Sequence, residues 1–415
     1  MDELERLTRK VVRETPATDI HTHLFSPEFG TLLESGIDAM LSYHYLIAES
    51  FRVHHMIEET FWQLSLPQRA EHIWRALFES RLPLSEAATG VLVSASQIGV
   101  PRDALHRLDA LRQVFTSHAD REYVRRIMNL AGVQHIVMTN DPLNPIESSY
   151  WNHNAAIMDG FHASLRLDTL LNQLEDSLFR LREQGYDVTS KMTATTVREL
   201  WRLLDDWNTR YLPVYVALSV SDAFVYPACD WQGQFVEKVL LPWCQEHRMP
   251  WALMMGVERG INPALREAGD GVVRASLASV VHLCQKWPEN KFLVTALSRE
   301  DQYALTVVAR KFHNLMLFGA WWFLNTRSFL SEITRMRLEL LGSTFIVQHS
   351  DARVLEQLIY KWALTREVLT QSLLDRYRIL EAQGWSVTEE AIQHDVALLL
   401  TDNFWHFVGS RPAGP

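Results

Sequence analysis

The sequence predicts an α/β protein, a distorted (β/α)8 TIM barrel with a helical insertion after the first strand and further helices at its C-terminal end. Eight short apolar segments rich in β-branched residues recur between longer helical stretches. Several of them, VYVALSV, FLVTAL and LMLFGA, are continuous apolar runs, the pattern of parallel strands buried on both faces. The 415 residues accommodate one barrel of about 250 residues plus an insertion.

The chain opens on MDELERLTRKVVRET, which reads as a charged helix and not as a signal peptide. The first strand is expected over Thr18–His23. The others are expected over Gln134–Thr139, Phe161–Leu167, Leu212–Leu218, Pro250–Gly256, Lys291–Leu297, Asn314–Gly319 and Thr344–His349. Roughly a hundred residues separate the first two, far beyond a strand-to-helix connection. Within that interval Ile57, Phe61, Trp62 and Leu64, then Ile73, Trp74, Leu77 and Phe78, recur at helical spacing. Residues 29–132 are therefore expected to be an inserted helical subdomain, with 1–28 and 133–415 forming the barrel. Val354–Leu400 again reads as helical, capping or wrapping the barrel.

Composition narrows the function classes. Hydrophobic residues at 47% and charged residues at 22% exclude a disordered or collagen-like chain. The 40 basic and 50 acidic residues give −10, so no excess positive charge exists to neutralise phosphates. Neither nucleic acid nor a membrane is expected as a partner, and no apolar run reaches the ~18 residues of a membrane span. Cys229, Cys244 and Cys284 are odd in number and lack CxxC spacing, which speaks against a disulfide framework or zinc knuckle and for a reducing cytoplasm. An anionic small substrate stays open, because a few arginines in a pocket suffice for it.

Two motifs carry chemistry. In Asp19-Ile20-His21-Thr22-His23 the histidines alternate onto one face at the C-terminal end of the first strand, where barrel active sites lie. Two imidazoles so placed suit one divalent metal; the plainer reading is a polar barrel mouth. Gln348-His349-Ser350-Asp351-Ala352-Arg353 ends the last strand, beside the first in a closed barrel. Asp351 can complete a His21–His23–Asp351 set, or simply cap the following helix. His349 reads equally as a packed strand histidine.

Six segments in this order resemble the uronate isomerases, the glucuronate isomerase branch of the amidohydrolase superfamily. DIHTHL resembles the family's first-strand metal motif, and Tyr43-His44-Tyr45 its Asp-His-Tyr segment. Thr139-Asn140-Asp141-Pro142 is similar to Thr-Asp-Asp-Pro, and Leu165-Arg166-Leu167-Asp168 to Arg-Pro-Asp. Phe318-Gly319-Ala320-Trp321-Trp322-Phe323 is similar to Gly-Trp-Trp-Phe, and Ser350-Asp351-Ala352-Arg353 to Asp-Ser-Arg. One departure stands out. Met254 occupies the place of a histidine after the fifth strand, while Arg259 and Asn262 of the following segment are retained.

The resemblance implies an aldose–ketose isomerase acting on a sugar acid, D-glucuronate to D-fructuronate and also D-galacturonate to D-tagaturonate, through an enediol. It implies one divalent metal ion on His21, His23 and Asp351: zinc, or else manganese or iron. Asp351 and Tyr45 would move the proton, His44 would serve ring opening or a hydroxyl proton, and Arg353 would steady the enediolate. Arg166 and Arg259 would bind the uronate carboxylate, and Trp321 or Trp322 would offer a sugar-stacking face. A homo-oligomer is left open. Two other classes remain: a mononuclear metal-dependent hydrolase of amidohydrolase type, and a catalytically lapsed sugar-acid binder. A two-metal hydrolase is disfavoured, because YVALSVSDA, ALMMGVE and LVTALSRE offer neither the lysine nor the histidines it needs.

Overall fold

Parallel strands buried on both faces build the frame, in a computed structural model that describes residues 2–153, 156–221 and 223–409. One run joins β1 (Ala17–Thr22), β2 (Val133–Met138) and β3 (Phe161–His162). A second joins β4 (Leu165–Arg166), β5 (Val216–Ser219), β6 (Trp251–Met255), β9 (Phe292–Ala296) and β10 (Leu315–Leu317). A hairpin of β7 (Val257–Glu258) and β8 (Gly271–Val272) stands apart. Side chains alternate as the apolar runs require. Tyr215, Ala217, Ala252, Met254 and Leu293 fill the interior, while Val216, Leu218, Leu253, Met255 and Val294 pack outward in the larger core with the helices.

Backbone hydrogen bonds link the two runs into a ring of eight staves. Ser164 N donates to the Met138 carbonyl (3.1 Å) and Arg166 N to the Asn140 carbonyl (2.8 Å), so β3 and β4 are one interrupted stave. The eighth is reduced to a single bridge, Phe318 to Ile346. At the C-terminal mouth it meets β1 through Asp351 N to the His21 carbonyl (3.1 Å) and His23 N to the Ala352 carbonyl (2.8 Å). Lower down the joint gapes, and the π-helical turn Leu398–Asp402 fills it: Val347 N donates to the Leu399 carbonyl (3.3 Å), and Thr18 and Thr401 share a hydroxyl hydrogen bond (2.8 Å). The barrel is thus distorted at its closing seam.

Three expected strands are corrected. Phe161–Leu167 is broken at Ala163 and Ser164, because the Ala163 carbonyl accepts from Val214 N while Ser164 bonds to β2. The fourth stave starts at Val216 and not Leu212, which instead ends the helix Ala194–Tyr211 with φ 47°. Thr344–His349 keeps only the bridge at Ile346, since its inner end bonds to the C-terminal turn.

Helices occupy the long first interval, among them His44–Val53, Glu58–Gln63, Leu66–Trp74 and Glu86–Ile98. Ser65 and Gln68 form a capping box that starts Leu66–Trp74, and Ser85 caps Glu86–Ile98. Phe61, Ile73, Trp74 and Leu77 are buried as their spacing predicts, in the same core as the outer strand faces. The helix Gln357–Ala382 packs along the closing seam, where Trp362 meets Asp19. Among the described residues no helix is long and apolar enough to cross a membrane, and the three cysteines are unpaired.

Gly319, just past β10, has φ +63°, and a Cβ there would overlap His349 Nδ1. Gly319→Ala should therefore destabilise the fold by about 2–4 kcal/mol, read from denaturant midpoints.

Candidate active site

A local irregularity aims the first histidine. Between β1 and β2, Asp19 pairs with Ile136 and Thr22 with Met138, so β1 carries an extra residue. Asp19 turns to the helix side, accepting from Trp362 Nε1 (2.8 Å) and Ser350 N (2.9 Å). His21 turns inward, edge-on to His23 with ring centroids 5.7 Å apart. Both Nε2 atoms face Asp351 Oδ1, at 3.7 Å from His21 and 3.4 Å from His23.

Neighbouring hydroxyls set the tautomers. Tyr215 Oη donates to the Ile20 carbonyl (2.5 Å), so at 3.3 Å it accepts from His21 Nδ1. Thr139 Oγ1 donates to the Thr22 carbonyl (3.1 Å) and accepts from His23 Nδ1 at 3.3 Å. Each Nε2 is left with a lone pair. Burial pushes the His21 imidazole down to about 3 and His23 to about 4, against the pull of Asp351, so neither contact with Asp351 is an ion pair at neutral pH. Burial opposes the charge of Asp351, but in acid the hydrogen bond from His23 and the positive charges of His23 and His21 hold its carboxyl well below the usual range, so it is ionised while both imidazoles are neutral.

Three lone-pair atoms therefore lie within 4.8 Å of one another with no proton between them, and Asp351 Oδ1 is buried without a hydrogen-bond donor. Such a set fits a cation, and hydroxyl partners on each Nδ1 are what a metal-bound imidazole requires. Trp321 Nε1 donates to Asp351 Oδ2 (3.2 Å) and leaves Oδ1 to the cluster. Asp351 itself sits at φ 52°, a conformation that aspartate tolerates better than most residues.

Beside the triad lies a cavity of about 430 Å³ lined by His23, Tyr43, His44, Arg69, Arg266 and Arg353, among others. His44 opens the helix His44–Val53, and its ring contacts Tyr45 (4.5 Å) and Trp322 (5.1 Å). Burial keeps His44 uncharged and holds the Tyr45 hydroxyl in its protonated form. His44 Nε2, Tyr45 Oη and Arg353 Nε are all buried without partners. Arg353 also binds Glu267 (2.7 Å).

The structure brings together His21, His23, Asp351, Trp321, His44, Tyr45, Trp322 and Arg353. It treats the other two arginines differently. Arg166, at the end of β4, is half-buried and forked onto Asp168 Oδ2 (2.9 and 2.8 Å). Arg259 lies on the exposed β7–β8 hairpin, paired with Asp270 and outside the cavity lining. Sequence reasoning missed Tyr215 and Arg69, and Thr139 was visible only as part of a turn motif. His349, 5.6 Å from His21 by ring centroids, is fully buried with both nitrogens unpartnered. Ser219, Met254 and Thr295 stand in register across β5, β6 and β9, so the neighbouring mouth positions are uncharged.

No protein-family model and no curated protein matches the chain. Solved structures do. A uronate isomerase from Bacillus halodurans C-125 is 45% identical, with 98% of this chain and 96% of that one covered and a TM-score of 0.96. A uronate isomerase from Thermotoga maritima (13% identity, 98% and 97% covered, TM-score 0.78) and a glucuronate isomerase from Caulobacter crescentus (14%, 99% and 96%, 0.69) share the fold. At 45% identity over nearly the whole of both chains, and with the six motifs in order, this chain belongs to the uronate isomerase family.

Proposed function

We propose that the chain interconverts D-glucuronate with D-fructuronate, and D-galacturonate with D-tagaturonate, by proton transfer through an enediol. The observation that carries this reading is the convergence of the lone-pair triad with the unpartnered His44 Nε2, Tyr45 Oη and Arg353 Nε, which a polyhydroxylated ligand would satisfy. His21, His23 and Asp351 would hold one divalent cation, zinc by preference and manganese or iron otherwise. Bound there, it would supply Lewis-acid polarisation of a sugar oxygen.

The side chains divide the remaining work. The C2–H bond breaks as its proton passes to Asp351, with Tyr45 as the shuttle partner, and Asp351 returns a proton to C1, exchangeable with solvent while it is held. Uncharged His44 carries the hydroxyl proton from O2 to O1. Arg353 bears the enediolate charge, and Trp322, packed on His44, offers an apolar face to the sugar. Arg166, held by Asp168 within electrostatic range of the triad, would offer its charge to the substrate carboxylate. Arg259 serves the substrate carboxylate only if the hairpin moves, since Asp270 occupies it here.

The test is a metal-reconstituted assay over a panel of uronates in deuterated water, following ketose formation and label at the exchanged carbon. Ketose from uronates and not from neutral hexoses supports the reading. Sugar-acid binding without turnover would point to a lapsed binder, and leaving-group release from lactones or amides to a hydrolase. The hydroxyl behind His21 yields a separate expectation: Tyr215→Phe should weaken metal retention by roughly 10- to 100-fold in a chelator competition.

A further inference from the structure

The helix Gln357–Ala382 sends two consecutive side chains to one residue at the closing seam. Lys361 Nζ donates to the Ser350 carbonyl (2.5 Å). Trp362 Nε1 donates to Asp19 Oδ2 (2.8 Å), whose Oδ1 accepts from Ser350 N (2.9 Å). Ser350 is therefore held at its amide and at its carbonyl. The next residue is Asp351, at φ 52°, whose own amide is fixed on the His21 carbonyl (3.1 Å). Beyond it, Ala352 N donates to Ser350 Oγ (3.1 Å) and closes the turn.

A lysine is a costly residue for such a bond. Lys361 is 1% exposed, and among the described residues its ammonium forms no ion pair. Burial pulls it down to about 8, with Asp351 and Asp19 drawing it back up, so it remains charged at neutral pH. Its Nζ lies 5.9 Å from the ring centroids of both Tyr43 and Tyr45, on the protein side of the pocket wall. An apolar side chain would fill this space without the desolvation of a charge, but it would leave the Ser350 carbonyl without its donor. A charged donor makes the stronger bond to a carbonyl. That strength falls where a residue other than glycine has to be kept in a left-handed conformation.

We propose that Lys361 is a positioning residue: by clamping the Ser350 carbonyl it fixes the turn at Asp351 and so aims Oδ1 at the Nε2 atoms of His21 and His23. It acts through Asp351 and not on the substrate. This rests on the reading above of the triad as a cation site and of Asp351 as the proton acceptor.

The full chain, reconstituted with metal, tests the clamp through Lys361→Met and Lys361→Arg. The methionine keeps the length and removes the donor. It should release the ion to a chelator roughly 10- to 100-fold faster and lower kcat by a similar factor, with KM for a uronate within about threefold. Its thermal midpoint should stay within about 3 °C of the parent, because removal of a buried charge offsets the lost bond. Lys361→Arg keeps a charged donor and should return metal release to within about fivefold of the parent. Parental metal release in Lys361→Met would overturn the clamp. So would faster release that tracks a large fall in midpoint in both variants, which marks a packing role. If the methionine variant does not fold, Lys361→Arg decides: folded with parental release it supports the clamp, and folded with fast release it overturns it. Failure of the wild-type protein to isomerise any uronate is a different result, which rejects the isomerase reading and leaves the metal-release comparison in force.

Discussion

The His21→Ala/His23→Ala protein is expected to contain no stoichiometric metal and to turn over hexuronates at least ~10³-fold more slowly than the parent. The two imidazoles supply two of the three donor atoms, and their tautomers are fixed by Tyr215 and Thr139 so that both Nε2 lone pairs meet Asp351 Oδ1. Asp351 alone cannot hold a transition-metal ion against water. Losing Lewis-acid stabilisation worth about 4 kcal/mol accounts for the thousandfold. Elemental analysis after gel filtration, paired with kcat, is the measurement. Full metal content in the double variant would reject this donor set.

Tyr45→Phe should lower kcat by roughly 10²- to 10⁴-fold with little change in KM. The phenyl ring keeps the edge contacts with His44 (4.5 Å) and Phe323 (5.9 Å), so the pocket wall survives and only the hydroxyl goes. That hydroxyl is buried, unpartnered and held in its protonated form by burial, with Tyr43 and Asp351 adding to the effect. A group so placed can donate a proton and recover it, but it has no role in resting-state packing that would explain a kinetic loss. Undiminished kcat would remove Tyr45 from the proton path and leave Asp351 without a shuttle.

Much of this architecture is legible in the sequence wherever a strand is buried on both faces. The runs around Val216, Leu253 and Val294 are apolar because the barrel interior lies on one side and helices on the other. The eighth stave is over-read: Thr344–His349 has the apolar, β-branched look of a full strand, but a turn at residues 398–402 takes its bonds, so only the bridge at Ile346 forms. Strict alternation also turns Asp19 into the barrel beside His21, and only the extra residue in β1 separates them. Within the site, His21, His23 and Asp351 were readable because metal donors are chemically conspicuous at strand ends. Arg69 and Arg266 were not. A charged residue on an inserted helix looks like a solvated face until the fold brings it over Trp62, and Arg259 shows the converse, a motif arginine occupied by Asp270.

The seam between the first and last staves also sets an order of events during synthesis. Ser350 N and Asp19 are joined across 331 residues, and Thr18 and Thr401 across 383. While a ribosome is still adding residues, β1 has one neighbour, β2, and its other edge stays open until residues 350–401 have been made. The donor triad straddles that edge, so a nascent chain presents two histidines but no carboxylate to close around an ion. Metal capture at this triad would thus have to wait for Asp351. An ion held by His21, His23 and Asp351 would tie together two segments that loop-closure entropy works hard to separate, and chelation should then loosen the barrel first at this seam.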